Sequence, residues 1–242
     1  MYGLTEVKLL GRGGPRVSSM AGITAAQAAY LGELFRLGGE HRYVDPGSWA
    51  QTLHVSPAAV SRMSRRLEKA GLIERRPYRG IRLTPRGREE GVRAVRAHRM
   101  AEAYLVSVLG YGWHEAHDTA DRLGEIADEV LVARLEAHAG YPRRCPHGEP
   151  IPRADGSIDE PNDTPLTSVA VGSSGRISRV RVRDAGRLQY LEAKGVLPGA
   201  PFRVEGKAPF EGPIRVSLPC GDCVLGGELA RNIWVEVDPP SA

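Results

Sequence analysis

The chain has 242 residues, 41% of them hydrophobic, with a formal net charge of only +4, which excludes a disordered chain and exceeds one average domain. No run approaches the ~20 apolar residues of a membrane helix, the first twenty residues lack the apolar segment of a secretory signal, and three cysteines do not make a disulfide framework, so a cytoplasmic protein is expected. The small net charge hides an asymmetry: residues 1–100 carry 18 basic and 8 acidic side chains, residues 101–165 carry 5 and 13, and residues 166–242 carry 10 and 8. A basic front suits a polyanion and an acidic middle suits cations or a basic partner.

Residues 1–20 show no periodicity and read as a flexible tail. From Ile23 the apolar residues Ala26, Ala29, Tyr30, Leu34, Phe35 and Leu37 recur at helical spacing, ending at Gly38-Gly39. A short helix is predicted after Asp45-Pro46-Gly47 with Ser48 as its cap. A third follows from Ser56-Pro57 to Ala70, with Val60, Met63 and Leu67 inward and Gly71 as its stop. Leu72–Arg75 and Ile81–Leu83 read as two strands around Pro77-Tyr78-Arg79-Gly80. Thr84-Pro85 then opens a long helix to about residue 108, and one further helix is predicted from His114 to about His138.

Residues 153–165 have linker composition, rich in Pro, Asp and Gly. Beyond them the period changes to two, at Val169, Val171, Ile177, Val180 and Val182 and again at Phe202, Val204, Ile214, Val216, Ile233, Val235 and Val237, with one helical insertion at Leu188–Lys194. About five short strands argue a small barrel. The expected fold class is therefore a mainly α N-terminal part with a C-terminal all-β barrel. The domains are drawn at 21–92, 93–152 and 166–242.

Helix, turn, helix and strand–turn–strand is the plan of a winged helix-turn-helix. Its recognition helix presents Ser56, Pro57, Ala58, Ser61, Arg62 and Arg65, with Arg79 at the wing tip. Arginine and serine suit phosphates and base edges, and small residues allow close approach. Arg62–Arg99 holds 13 basic and 4 acidic residues. Double-stranded DNA is the expected partner.

On the next two predicted helices His98 and Glu102 are four apart, and His117, Asp121, Glu125 and Asp128 follow at steps of four, four and three. Each set shares one helix face. If the faces meet, imidazoles and carboxylates converge as a divalent cation requires.

AHRMAE (97–102), GYGWHEAHDTADRL (110–123), ADEV (127–130) and CPHGEPIP (145–152) resemble the diphtheria toxin repressor family of metal-dependent bacterial regulators. The resemblance covers about residues 23–238. It implies a winged helix, dimerisation helices, a C-terminal SH3-like domain, a homodimer, a palindromic operator and repression of metal-homeostasis genes. It places an ancillary metal site at His98, Glu102 and His117, with Asp184 as the carboxylate from the SH3-like domain and Arg187 where a neutral amide can stand. At the primary site Ala29 replaces a first-helix ligand, Asp121 stands where iron sensors have cysteine, and Gly124-Glu125 replaces a Glu-His pair. Loss of the soft donors leaves oxygen and imidazole, so Mn²⁺ is the expected corepressor and Fe²⁺ the alternative.

Cys145 and His147 carry ligand-type side chains, but within CPHGEPIP they read as a packed turn. Cys220-Gly-Asp-Cys223 is a lone CxxC, the basis of a rival reading as a thiol-redox transcription factor. A third reading is a sequence-blind architectural DNA protein. No phosphate loop or catalytic triad is apparent, so neither an enzyme nor a small organic substrate is expected.

Overall fold

The computed structural model describes residues 22–239. α1 (Ala25–Arg36) starts at Thr24, whose hydroxyl accepts from the Gln27 amide while the Gln27 side chain accepts from the Thr24 amide. This reciprocal box satisfies two otherwise unpaired donors. α2 (Pro46–Thr52) is capped by Asp45 rather than Ser48: Asp45 Oδ2 accepts from the Ser48 amide at 2.8 Å. A carboxylate just ahead of a first-turn proline is the stronger start signal. α3 (Pro57–Lys69) is capped by Ser56. β1 (Ile73–Arg76) and β2 (Gly80–Leu83) then form an antiparallel wing.

α4 (Pro85–Ser107), capped by Thr84, joins this unit to the next. Its Val92 and Val95 lie in one core with Leu31, Leu34, Trp49, Val60, Leu67 and Leu72. Farther along, Met100 and Ala103 enter a second core with Ala127, Val132, Leu135 and Cys145. The single helix predicted over 114–138 is two: α5 (Ala116–Ile126) and α6 (Glu129–His138). Ala127 and Asp128 are both extended, and Asp128 Oδ1 accepts from the Leu131 amide at 2.8 Å. Asp128 is thus a helix cap and not the fourth member of a ligand stripe.

The C-terminal part contains β3 (Thr164–Pro165), a 3-10 turn at Leu166–Ser168, β4 (Ser174–Val180), α7 (Ala185–Ala193), β5 (Pro201–Lys207), β6 (Ile214–Leu218), β7 (Gly221–Leu225), α8 (Gly227–Ala230) and β8 (Ile233–Val237). The strands form one antiparallel sheet in the order β3-β8-β4-β5-β6-β7. Val169 follows the 3-10 turn and Val171 is exposed, so their alternation does not mark a strand. Leu188, Leu191, Val196, Val204, Ile233 and Val235 are completely buried in this core, which also takes Trp113 from the α4–α5 connection. The sheet is thereby packed against the helical part.

Candidate metal centre and nucleic-acid face

Glu102, in the middle of α4, is almost completely buried. Its Oε1 lies 3.0 Å from His98 Nε2, 3.1 Å from His117 Nδ1 and 3.5 Å from His147 Nδ1. His98 shares the face of Glu102 because it is one turn earlier on α4, and His117 comes from the first turn of α5. Gly124 of α5 faces the backbone of α4, where a Cβ would stand at van der Waals contact, 3.4 Å from the His98 backbone nitrogen and 3.5 Å from its Cα. Asp121, also on α5, places Oδ1 2.7 Å from His98 Nδ1 and Oδ2 3.7 Å from His117 Nε2.

His147 and Cys145 belong to a tight turn. The Gly148 amide donates to the Cys145 carbonyl at 2.8 Å, and the Cys145 amide donates to the Glu149 carbonyl at 2.9 Å. Gly148 has φ +83°, and a Cβ there would lie 2.0 Å from the Ser178 carbonyl oxygen of β4, so only glycine allows this turn against the sheet. The Val180 amide donates to the His147 carbonyl at 2.9 Å. Glu149 pairs with Arg99, Arg179 and Arg181, and Asp163 pairs with Arg179. These charges fasten β4 to the turn beside Glu102.

Two groups of donors converge: His98, His117 and Asp121, and Glu102, Cys145 and His147, each with ligand atoms within 4.8 Å of one another. Cys145 and His147 form the packed turn expected from sequence, and that turn also brings them to Glu102. The signal for them was present in CPHGEPIP, but nothing local indicated that this turn faces Glu102. The donors fit a divalent cation on two observations. His98 turns both ring nitrogens to carboxylates, Nδ1 to Asp121 at 2.7 Å and Nε2 to Glu102 at 3.0 Å. His147 Nε2 lies 3.1 Å from the Trp113 carbonyl, an acceptor only, so the ring turns Nδ1 toward the Glu102 carboxylate. Two such ligand atoms facing each other call for a proton or a metal between them.

Burial opposes ionisation of Glu102, but His98 and hydrogen bonds from the imidazoles outweigh it and hold the carboxyl well below the usual range. Burial opposes protonation of His98, yet Glu102 outweighs it and raises His98 above its usual value. Burial pushes the Cys145 thiol far up, so it stays protonated unless a metal displaces the proton. The sign of the pH dependence follows. In metal-free protein the His98 contribution is complete below its unfolded pKa of about 6.5 and is lost as pH rises through the higher folded value. Glu102 contributes above its unfolded pKa of about 4.5 and is lost as pH falls through the lower folded value. A divalent metal held at His98 would compete with the His98 proton, so divalent-metal affinity should rise through neutral pH and level off above the folded His98 pKa. Titration calorimetry at several pH values checks this, and an affinity constant from pH 6 to 8.5 would contradict it.

The remaining expected ligands are placed differently. Glu125 is exposed and lines a cavity of about 840 Å³ between α1, α4 and α5, without joining either donor group. Asp184 also lines that cavity, but its Oδ1 accepts from the Arg187 amide as the cap of α7. Ala29 lines the same cavity and offers no donor. Cys220 is exposed near the β6–β7 turn and its thiol donates to the Lys194 carbonyl, while burial raises the Cys223 thiol. A raised thiol pKa lowers the reactive thiolate fraction.

Ser56, Pro57, Ala58, Ser61, Arg62 and Arg65 are all exposed on α3 or at its cap, and Arg79 is exposed at the wing tip. Val60, Ser64 and Leu67 fill the opposite face. The arginine face and the wing are thus free to meet phosphates. No helix among the described residues is long and apolar enough to cross a membrane.

Three family profiles match the chain in order: "Iron dependent repressor, N-terminal DNA binding domain" over residues 23–81, "Iron dependent repressor, metal binding and dimerisation domain" over 84–153, and "FeoA domain" over 164–237. The chain is 30% identical over 200 residues to the iron-dependent repressor IdeR of Mycobacterium tuberculosis, covering 77% of this chain and 86% of that protein. It is 34% identical over 198 residues to the diphtheria toxin repressor of Corynebacterium glutamicum, covering 77% and 85%. A solved manganese-dependent transcriptional repressor in complex with manganese superposes with a TM-score of 0.79 at 32% identity, over 88% of this chain and all of that one. The fold order, the convergent imidazole and carboxylate donors and these likenesses together assign the chain to the diphtheria toxin repressor family, as a metal-dependent transcriptional repressor with DNA-binding, dimerisation and SH3-like FeoA domains.

Proposed function

We propose that Mn²⁺ is the corepressor of this chain, with Glu102 as the shared ligand between His98, His117 and Asp121 on one side and Cys145 and His147 on the other. The observation that carries this reading is the convergence of three imidazoles on one buried carboxylate oxygen. Imidazole and carboxylate donors predominate and suit manganese; the Cys145 thiol adds one soft donor, and raw affinity still rises toward later metals. Fe²⁺ is the competing reading. When bound, the ion supplies a double positive charge that neutralises the clustered carboxylates and favours one arrangement of the helices that carry them.

His98 and Glu102 anchor the centre to α4, His117 and Asp121 tie in α5, and the 145–149 turn ties in the sheet domain. α4 also shares a core with α3 and the wing, so fixing these elements fixes the recognition helix. The DNA-competent state must bind metal better than the alternative for this to act as a switch. We place Ser56, Pro57, Ala58, Ser61, Arg62, Arg65 and Arg79 against the operator, with paired recognition helices of a homodimer reading a palindrome in the cytoplasm. Metal-transporter genes are the proposed targets.

Operator gel shift with Mn²⁺, Fe²⁺ or chelator, on wild type and His98→Ala, tests the reading. Retardation of the wild type by Mn²⁺, abolished by chelator and weakened by the substitution, is expected. Equal retardation in every lane would refute metal control, and an operator complex that forms with Fe²⁺ but not with saturating Mn²⁺ would reassign the corepressor.

A further inference from the structure

Glu33 and Arg36 lie one turn apart on α1, outside both donor groups and away from the DNA-facing helix. Glu33 Oε2 is 3.3 Å from Arg36 Nη1 and 2.7 Å from Arg183 Nη2, and the Glu33 side chain is only 5% exposed. Arg183 lies between β4 and α7, so this contact joins the sheet domain to the first helix of the DNA-binding domain across 150 residues of chain. One buried carboxylate therefore holds two guanidinium groups from two domains. A buried ionic group of this kind is costly unless paired, and removing one partner leaves an uncompensated charge.

The position of this triad gives it a consequence. Two cavities, of about 840 and 550 Å³, are each lined by Glu33, Arg36 and Arg183 together with His98 and His117. Arg36 is close enough to the donor groups for its charge to act on His98 and Asp121, and the charge of Glu102 acts on Arg36 in return. Two cations facing the ligands of a dication compete with it for the same carboxylates. Glu33 is the acid that engages both.

We propose that Glu33 is a positioning residue that holds Arg36 and Arg183 away from the metal ligands, setting metal affinity without touching the ion and clasping the sheet domain to α1. With Glu33 neutralised, the two guanidinium groups turn to Glu102 and Asp121, and metal must displace them. With Arg183 also removed, much of that competition disappears. The clasp also gives the sheet domain a direct grip on the recognition unit, because the Tyr30 carbonyl of α1 accepts from Trp49 Nε1 of α2 at 3.1 Å.

The inference rests on metal binding at Glu102 as proposed above. The test is the Mn²⁺ dissociation constant of the full chain, by competition with a fluorescent chelator, for wild type, Glu33→Gln, Arg183→Gln and the double variant. Glu33→Gln should weaken binding about tenfold, Arg183→Gln should bind as tightly as wild type or more tightly, and the double should recover most of the loss, because the two charges are coupled. A purely structural role for Glu33 predicts no recovery. Unchanged affinity in Glu33→Gln, or a double variant no better than that single, overturns the proposal. Should Glu33→Gln fail to fold, Arg183→Gln decides alone: weaker Mn²⁺ binding than wild type overturns it. A wild-type chain that takes up no Mn²⁺ would instead refute the manganese reading itself.

Discussion

Glu102→Gln should abolish metal-dependent operator binding while leaving the chain folded. The substitution keeps the size of the side chain and its capacity to accept one hydrogen bond, but removes the one anion that faces His98, His117 and His147 together. Both donor groups depend on this position: Glu102 belongs to one and stands within 3.1 Å of the imidazoles of the other. Even outer partners of metal ligands commonly change affinity 10- to 100-fold, so if Glu102 is the shared ligand as proposed, its loss should cost on the order of 100-fold or more. Metal titration calorimetry reads the affinity, gel shift reads the operator complex, and circular dichroism reads the fold. Asp121→Asn should cost less, because the Asp121 side chain is 57% exposed and water can replace part of its role. A Glu102→Gln protein that binds Mn²⁺ and operator like wild type would remove this residue from the centre.

Trp49→Ala should have the largest effect on stability. Trp49 is fully buried, meets Tyr30 edge to face at 5.5 Å, and donates its indole N–H to the Tyr30 carbonyl. Truncating such a side chain costs about 3–5 kcal/mol from lost burial and the cavity left behind. For a unit of this size each kcal/mol lowers Tm by roughly 4–8 °C, so the winged-helix unit should melt far below the rest. The proposed ligands on α4, α5 and the 145–149 turn sit beside other cores, one with Met100, Ala103 and Cys145 and one with Ala101, Leu105, Ala116 and Ala120, so metal binding should outlast operator binding. Scanning calorimetry together with metal titration separates the two. Trp49→Phe should lose less, since an aromatic ring still fills most of the space. An Ala variant that melts with wild type would show that α2 does not depend on this anchor.

The local architecture was largely legible because its causes are local. Ser56 and Thr84 sit at the starts of α3 and α4 with their hydroxyls on the expected amides, and the change of period marks the passage from helices to the antiparallel sheet. His98 and Glu102, one turn apart, could be placed on one face by helix geometry alone. The break between α5 and α6 was missed because an Asp that reads as part of an acidic stripe is chemically equal to an Asp that caps a helix. Two extended residues, Ala127 and Asp128, decide between them.

Legible in the residues alone were the passage from helices to strands, the arginine face of α3, the ligand-type side chains on α4 and α5, and the family resemblance. Which faces meet is set by tertiary packing. It brings Cys145 and His147 to Glu102, engages Asp184 as a helix cap, leaves Glu125 exposed, and buries Glu33 between arginines of two domains. The physical reason is one of range. Periodicity and capping are set by neighbours within a turn or two, whereas a shared ligand or a clasp between domains depends on how packed surfaces dock. Here that docking is fixed by the 145–149 turn against β4, through Gly148 and the arginines around Glu149.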